Sequence, residues 1–303
     1  MASEHDKRYK YLFSHPLFVQ RLLESFVKER FVHKLDFSTL EKVDKSFVTE
    51  DFKARESDLI WKITYKKSPI YIYLLLEFQS TVDKSMPLRF LRYITEFYQS
   101  LHVQTESGKY PAVFPILIYN GDERWTAPLK SQELIEDSIP AGYIPAFQYY
   151  PVIENEIPQQ SLLKIKNALS AVFYAENSSP DELKKKLDTF FGILEGENIE
   201  AVKTLVHWLN NYLYKIDQET RDPIIEKIST ITEAKTMLQT KIREYEKKLI
   251  EQGIEQGIEQ GIEQGIEREA METAKRMLAK GFSVSDICEL TGLSETVVQS
   301  LKK

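Results

Sequence analysis

The chain has 303 residues, 42% of them hydrophobic and 28% charged, which is long enough to bury a substantial core and to divide into two domains. A single cysteine, Cys288, excludes an intrachain disulfide and a cysteine-built zinc site, and it suits a reducing, cytoplasmic compartment. The net charge of −6 argues against indiscriminate nucleic-acid binding, but residues 1–125 carry 19 Lys and Arg against 17 Asp and Glu, leaving 21 against 29 in the remainder.

Residues 1–10 are polar and lack the apolar centre of a signal peptide. The longest apolar run, residues 70–76, is too short to cross a bilayer, so no membrane partner is expected. Residues 9–31 place Tyr9, Leu12, Phe13, Leu17, Phe18, Leu22, Leu23, Phe26 and Val27 at helical spacing. Pro16 divides them into a short helix, a turn and a longer helix. Residues 47–52 read as a short strand. Residues 58–65 are rich in β-formers, residues 66–69 (Lys-Lys-Ser-Pro) form a turn, and residues 70–77 make a strand buried on both faces that ends in a carboxylate. These two strands predict a hairpin.

Pro87 suits the first turn of a helix whose apolar face is Leu88, Leu91, Ile94, Tyr98 and Leu101. Residues 112–119 form another buried strand, closed by Asn120-Gly121. A helix between two strands makes a crossover, so the sheet is mixed. Residues 122–158 hold five prolines and read as loops with a short strand near 147–152; from Ser161 onward the pattern is helical.

The expected fold is α/β: a restriction-endonuclease-like core with a central mixed sheet flanked by helices, followed by an all-helical C-terminal region. The expected divisions are 1–155 for the core, 156–248 for a helical region, 249–268 for a repeat and 269–303 for a small tail.

Asp58 heads one strand of the hairpin and Glu77 ends the other, so the two carboxylates can converge on one cation. Mg2+ favours one or two carboxylates, with water and phosphate oxygens completing its octahedron. Gln79, two residues past Glu77, falls on the same side of an extended chain and could orient a water or a phosphate. The competing reading is a carboxylate that merely meets solvent at a strand end.

Three stretches sharpen the choice: His5-Asp6-Lys-Arg-Tyr-Lys-Tyr-Leu-Phe13, Glu56-Ser-Asp58-Leu-Ile, and the run from Tyr73 through Glu77-Phe78-Gln79-Ser80 to Arg92-Tyr93. With Phe114-Pro115-Ile-Leu-Ile-Tyr119-Asn-Gly121 they cover residues 5–125. In this order they resemble the recombination-promoting nuclease family, also called transposases of the PD-(D/E)xK nuclease superfamily. The resemblance implies that Asp58 and Glu77 are metal-binding acids, with Gln79 at the position of the superfamily's lysine. It also implies Mg2+, or another divalent cation such as Mn2+, as cofactor and DNA as substrate. Family members usually carry His where Phe78 stands.

Arg89 and Arg92, one turn apart on the following helix, could grip a phosphate bidentately or face solvent. Asp6 could add a further acid, and His5 could be a cap or a surface group. His15, His33, His102 and His207 show no ligand spacing and read as structural or exposed.

Glu-Gln-Gly-Ile repeats from Glu251 to Ile266 place glycines at 253, 257, 261 and 265. Each glycine costs a helix about 1 kcal/mol relative to alanine, and glutamates four apart repel. A lone helix here is marginal, and pairing through the glycines with a second copy would rescue it; a flexible spacer is the other reading. A strict four-residue period exceeds the 3.6-residue turn, so any supercoil it drives is right-handed.

Residues 269–303 predict three short helices, with Ser283 and Ser294 as caps and Thr291-Gly292-Leu293 as a turn. Cys288 reads as core. The pattern resembles a helix-turn-helix of the resolvase or sigma-factor type. Basic charge on its last helix is confined to Lys302 and Lys303, so docking or dimerisation competes with DNA binding. Three functions remain: a metal-dependent DNA endonuclease linked to recombination and associating through its C-terminal helices, a catalytically idle nuclease fold serving as a binding or assembly module, and a transposase.

Overall fold

The computed structural model describes residues 4–43, 58–77, 81–101, 108–214 and 223–301. The chain divides into two compact units, residues 1–238 and 239–303. The first is built on a five-stranded sheet of order β1-β2-β3-β4-β5, with β1 Leu35–Lys42, β2 Asp58–Tyr65, β3 Ser68–Glu77, β4 Ala112–Tyr119 and β5 Tyr150–Ile153. β1, β2 and β3 pair antiparallel, whereas β3, β4 and β5 pair parallel. The sheet is therefore mixed, as the predicted crossover requires.

The β2–β3 hairpin closes tightly: Tyr65 lies opposite Ser68, and both intervening lysines have positive φ, 47° at Lys66 and 69° at Lys67. Two left-handed residues in a two-residue loop make the turn whose twist matches that of the flanking strands. β3 then runs from Tyr71 to Leu76 with every residue buried. Each such side chain contributes on the order of 2 kcal/mol on leaving water.

Both faces are covered, because neighbouring residues point to opposite sides of a strand. On one face Tyr9, Leu12 and Phe13 of α1 (Glu4–Phe13) and Phe18, Leu22 and Leu23 of α2 (Pro16–Phe26) are all buried. The Trp61 indole Nε1 donates to the Phe13 carbonyl at 3.1 Å, fixing α1 to β2. Pro16 stands at the head of α2, where its missing N–H costs nothing.

On the other face Ile60, Tyr71, Tyr73, Leu75, Leu117 and Tyr119 pack against α3 (Met86–Ser100). The face that α3 buries is Met86, Pro87, Phe90, Ile94 and Phe97, while Leu88 is 39% exposed. This corrects the expected face by part of a turn. The large aromatics Phe90 and Phe97 take the sheet, with ring centroids 6.2 Å from Tyr73 and 5.2 Å from Tyr71, and Leu88 rotates outward.

β1 is an addition to the expected strands. Only Leu35 in it is buried, and its pairing with β2 is irregular between Asp36 and Glu41, so no alternation marks it in the sequence. The strand expected at residues 47–52 lies outside the described residues.

The segment after β5 is helical: α4 Gln159–Ile165, α5 Ala168–Glu176, α6 Pro180–Lys185, α7 Leu187–Ile193, α8 Ile199–Tyr214 and α9 Pro223–Glu226. α5 is buried along almost its whole length and packs on α2, with Phe173 edge-on to Phe26 at 4.9 Å.

The helix α10, Ile231–Ala279, continues unbroken through the Glu-Gln-Gly-Ile repeat, so the first of the three predicted tail helices is its end. Ile250, Ile254, Ile258, Ile262 and Ile266 are each 57–66% exposed. α11 (Val284–Thr291) and α12 (Glu295–Ser300) complete a small cluster around Ala274, Ile287 and Val298, with Cys288 packed against it. Ser283 caps α11 by accepting from the Asp286 amide, and Gly292 ends it at φ 72°, where a Cβ would be strained. Ser294 holds the cap position of α12 but makes no side-chain cap bond. Among the described residues no helix is long and apolar enough to cross a membrane.

Candidate functional site

The hairpin register decides where the predicted acids stand. Asp58 lies opposite Leu75, so position 58 shares a sheet face with Leu75, and position 77, two residues on, shares it too. Diagonal positions of this kind are about 7–8 Å apart across two strands. Glu77 in turn lies opposite Tyr119 on β4. The face is the one covered by α3, at the end of the sheet where the parallel strands finish. The Tyr119 hydroxyl donates to the Glu123 carbonyl at 3.0 Å, which ties the chain after β4 to this end. Gln79 lies outside the described residues.

The start of α3 lies toward the same end, since Phe90 meets Tyr73 and Tyr149 while Phe97 meets Tyr71 farther back along β3. Arg89 is therefore at the site end of the helix. Its Nη1 is 3.6 Å from Asp83 Oδ2, and its Nε donates to the Tyr93 hydroxyl at 2.8 Å. Asp83 also accepts from the Ser85 amide at 2.8 Å and the Ser85 hydroxyl at 2.6 Å. Partial burial works against its charge, but these bonds and Arg89 outweigh it and hold the carboxyl below its ordinary range. Arg92 is 71% exposed and pairs with Glu96 at 2.7 Å. Both arginines thus have partners close by in the chain, Arg89 in Asp83 and Tyr93 and Arg92 in Glu96. Asp6 falls in the first turn of α1.

A second pair of acids, which no motif marks, stands on the opposite face. Glu154 follows β5 directly and is fully buried, accepting a hydrogen bond from the Tyr9 hydroxyl. Asn120, following β4, donates to the same hydroxyl at 3.4 Å. Glu176 of α5 faces Arg8 of α1 at 3.8 Å, with side chains 4% and 9% exposed. The Arg8 guanidinium also lies 5.4 Å from the Tyr212 ring centroid.

Desolvation pushes the Glu154 carboxyl well above its ordinary range, and Glu176 pushes it further. Burial likewise raises Glu176 to about 7 against the pull of Arg8. The Tyr9 hydroxyl is raised first by burial and then by both carboxylates. This network pins α1 across the ends of β4 and β5. An acid next to an apolar strand is the only sequence signal it leaves, and α5 cannot be brought to it without the fold.

His15 and His207 read as unrelated in the sequence, yet with Tyr11, Glu200 and Lys203 they line one cavity of about 120 Å³. Its charges are met locally: Lys203 pairs with Glu200 at 3.0 Å, and His207 packs 5.0 Å from the Tyr11 ring. Among the described residues no group of three or more His, Cys, Asp or Glu is placed to hold a metal ion.

A family model described as "Putative transposase, YhgA-like" matches residues 3–200. Among curated proteins of Escherichia coli (strain K12), recombination-promoting nuclease RpnA is 24% identical over 268 residues, 87% of this chain and 85% of its own length. Recombination-promoting nuclease RpnC is 29% identical over 122 residues, 40% of each chain. The protein named inactive recombination-promoting nuclease-like protein RpnE is 30% identical over 121 residues, again 40% of each. The chain thus spans most of RpnA but less than half of RpnC and RpnE. No solved structure matches.

Proposed function

The chain belongs to the YhgA-like transposase family, and on that premise we propose that it is a metal-dependent DNA endonuclease that hydrolyses phosphodiester bonds in recombination. The observation that carries this reading is the register that sets positions 58 and 77 diagonally on one face, at the end where the parallel strands finish. Two carboxylates so disposed suit a divalent oxygen-seeking cation, Mg2+ or Mn2+. When bound, such an ion polarises the scissile phosphate and lowers the pKa of a water. Asp58 and Glu77 hold the ion, Gln79 orients the water or a phosphate oxygen, and Arg89 and Arg92 meet the DNA backbone. Gln79 brings no positive charge, so Arg89, at the site end of α3, supplies the charge that a lysine would.

The C-terminal helices serve self-association in this reading. Five isoleucines are exposed along one helix, and a Cβ added at any of its four repeat glycines would meet no neighbour within 4 Å, which leaves room for close approach by a second copy. A second reading, a nuclease fold that binds DNA without cutting it, is favoured by one observation: the relative RpnE is named inactive at 30% identity.

Plasmid nicking by wild type and Asp58→Ala, each with Mg2+ and with EDTA, separates the readings. Cleavage by wild type with Mg2+, lost in the variant and in EDTA, is expected. Equal cleavage by Asp58→Ala, or binding without cleavage by wild type in both Mg2+ and Mn2+, overturns the endonuclease.

A further inference from the structure

The opposite end of the sheet carries different chemistry. Leu35 lies opposite Tyr65, Tyr65 opposite Ser68, and Ile70 opposite Ala112. Lys34, Lys66, Lys67 and Lys109 stand just outside these pairs, forming a row across the end where β3 and β4 begin. Lys28 and Arg30 lead into the 3-10 turn Val32–Lys34. Phe31 fixes that segment to the same end, its ring edge-on to Tyr65 at 6.1 Å and to Phe114 at 4.9 Å.

All six cations are exposed. Among the described residues Lys28, Arg30, Lys34, Lys66 and Lys67 form no ion pair. Against these six, the described segments at this end bring only Glu29 and Asp36, in a chain whose total charge is −6.

Turn geometry does not call for lysine at either position of the hairpin turn. A turn with positive φ at both central residues favours Asn-Gly, and an L-residue with a long side chain is strained there. Nor are they guards against edge-to-edge pairing, because β2 and β3 are interior strands and the sheet's edges are β1 and β5. Lys66 Nζ lies 5.2 Å from the Tyr65 ring centroid, an exposed cation–π contact inside the same hairpin. Lys67 makes no such contact among the described residues, and a turn preference broken there marks a functional position.

We propose that this cationic row is a contact for the phosphate backbone of duplex DNA, made by the same duplex that reaches the carboxylate end of the sheet. It rests on the endonuclease reading for the identity of that duplex. β3 spans ten residues between the two ends, roughly 30 Å at about 3.3 Å per residue. A duplex lying along the strands meets the row about nine base pairs from the acids, at about 3.4 Å per base pair. A chain that repels DNA by its net charge thereby gains a local hold without base contacts.

The test is Lys66→Asn with Lys67→Gly in the full chain carrying Asp58→Ala, titrated with a duplex of about 30 base pairs over a range of salt. Each lost phosphate contact lowers the slope of log K against log salt by about 0.9. The expected result is a slope shallower by about two and affinity at about 0.1 M salt weaker by about tenfold or more. The thermal midpoint should be unchanged or higher, because Asn-Gly suits the turn.

Unchanged slope and affinity overturn the proposal, as does a loss seen on an RNA duplex but not on DNA. If the double variant melts lower than its parent, Lys34→Gln with Lys109→Gln, which leaves the turn intact, must show the same loss or the proposal falls. The two readings separate cleanly. Cleavage surviving Asp58→Ala while the row variant loses affinity removes the strand-end acids as the cutting site and leaves the row. Cleavage lost in Asp58→Ala with unaltered affinity in the row variant does the reverse.

Discussion

The buried acids Glu154 and Glu176 make stability depend on pH in a direction opposite to that of ordinary surface carboxylates. Glu176 is raised from 4.5 to about 7, burial being the larger cause and Arg8 opposing it. Below pH 4.5 both the folded and the unfolded chain hold its proton. Between pH 4.5 and 7 the unfolded chain releases it while the folded chain keeps it, so stability falls as pH rises through this window. The slope is one proton, about 1.4 kcal/mol per pH unit, and the accumulated loss is about 3 kcal/mol above pH 7. Glu176→Gln imitates the protonated acid. It should match wild type near pH 5 and exceed it by about 3 kcal/mol near pH 8. Urea unfolding followed by tryptophan fluorescence reports on the region directly, because Trp208 stacks on Tyr212 beside Arg8. Glu154 remains in the variant, as do Tyr9, Arg8 and Tyr212, so a residual pH dependence persists but is shallower. A variant whose stability tracks wild type in parallel from pH 5 to pH 8 would refute the reasoning.

Two further outcomes follow from named contacts. Glu197 accepts from Arg21 at 2.6 and 3.1 Å and from the amides of Ala168 and Asn198 at 2.8 Å each. Partial burial opposes its charge, but these bonds outweigh it and lower its carboxyl, so its contribution is present at neutral pH and lost as pH falls below 4.5. Glu197→Ala should cost about 3 kcal/mol at pH 7 and much less near pH 3; an equal cost at both pH values in guanidinium titrations would contradict this. In the repeat, replacing Gly253, Gly257, Gly261 and Gly265 with alanine should raise the helix signal in circular dichroism, each glycine costing about 1 kcal/mol. The same change should weaken self-association in sedimentation, since added Cβ atoms block close approach; undiminished association would separate the glycines from any interface.

The hairpin was legible because its information is local. The apolar run of residues 70–76, the turn at Lys66-Lys67 and the β-formers after Asp58 lie within twenty consecutive residues, and a hairpin's register follows from its turn. That register carries the placement of positions 58 and 77, so the candidate acids inherited the legibility of the turn. The helices around Pro16 and Pro87 were legible for the same reason, each announced by a residue whose backbone chemistry allows few positions.

What stayed hidden depends on tertiary neighbours. β1 buries only Leu35, so pairing with β2, not its own side chains, makes it a strand. Which face of α3 turned inward was settled by the fit of Phe90 and Phe97 to sheet tyrosines, where spacing alone admitted Leu88 as readily. Glu154 and Glu176 read as ordinary acids until α5 is folded beneath α1, and then burial changes their protonation. The cationic row comes from three segments, around residues 28–34, 66–67 and 109, none of which is a basic run worth remark by itself. A net charge read along the chain averages such a row away; a strand register restores it, because pairing sets residues far apart in sequence about 5 Å from one another.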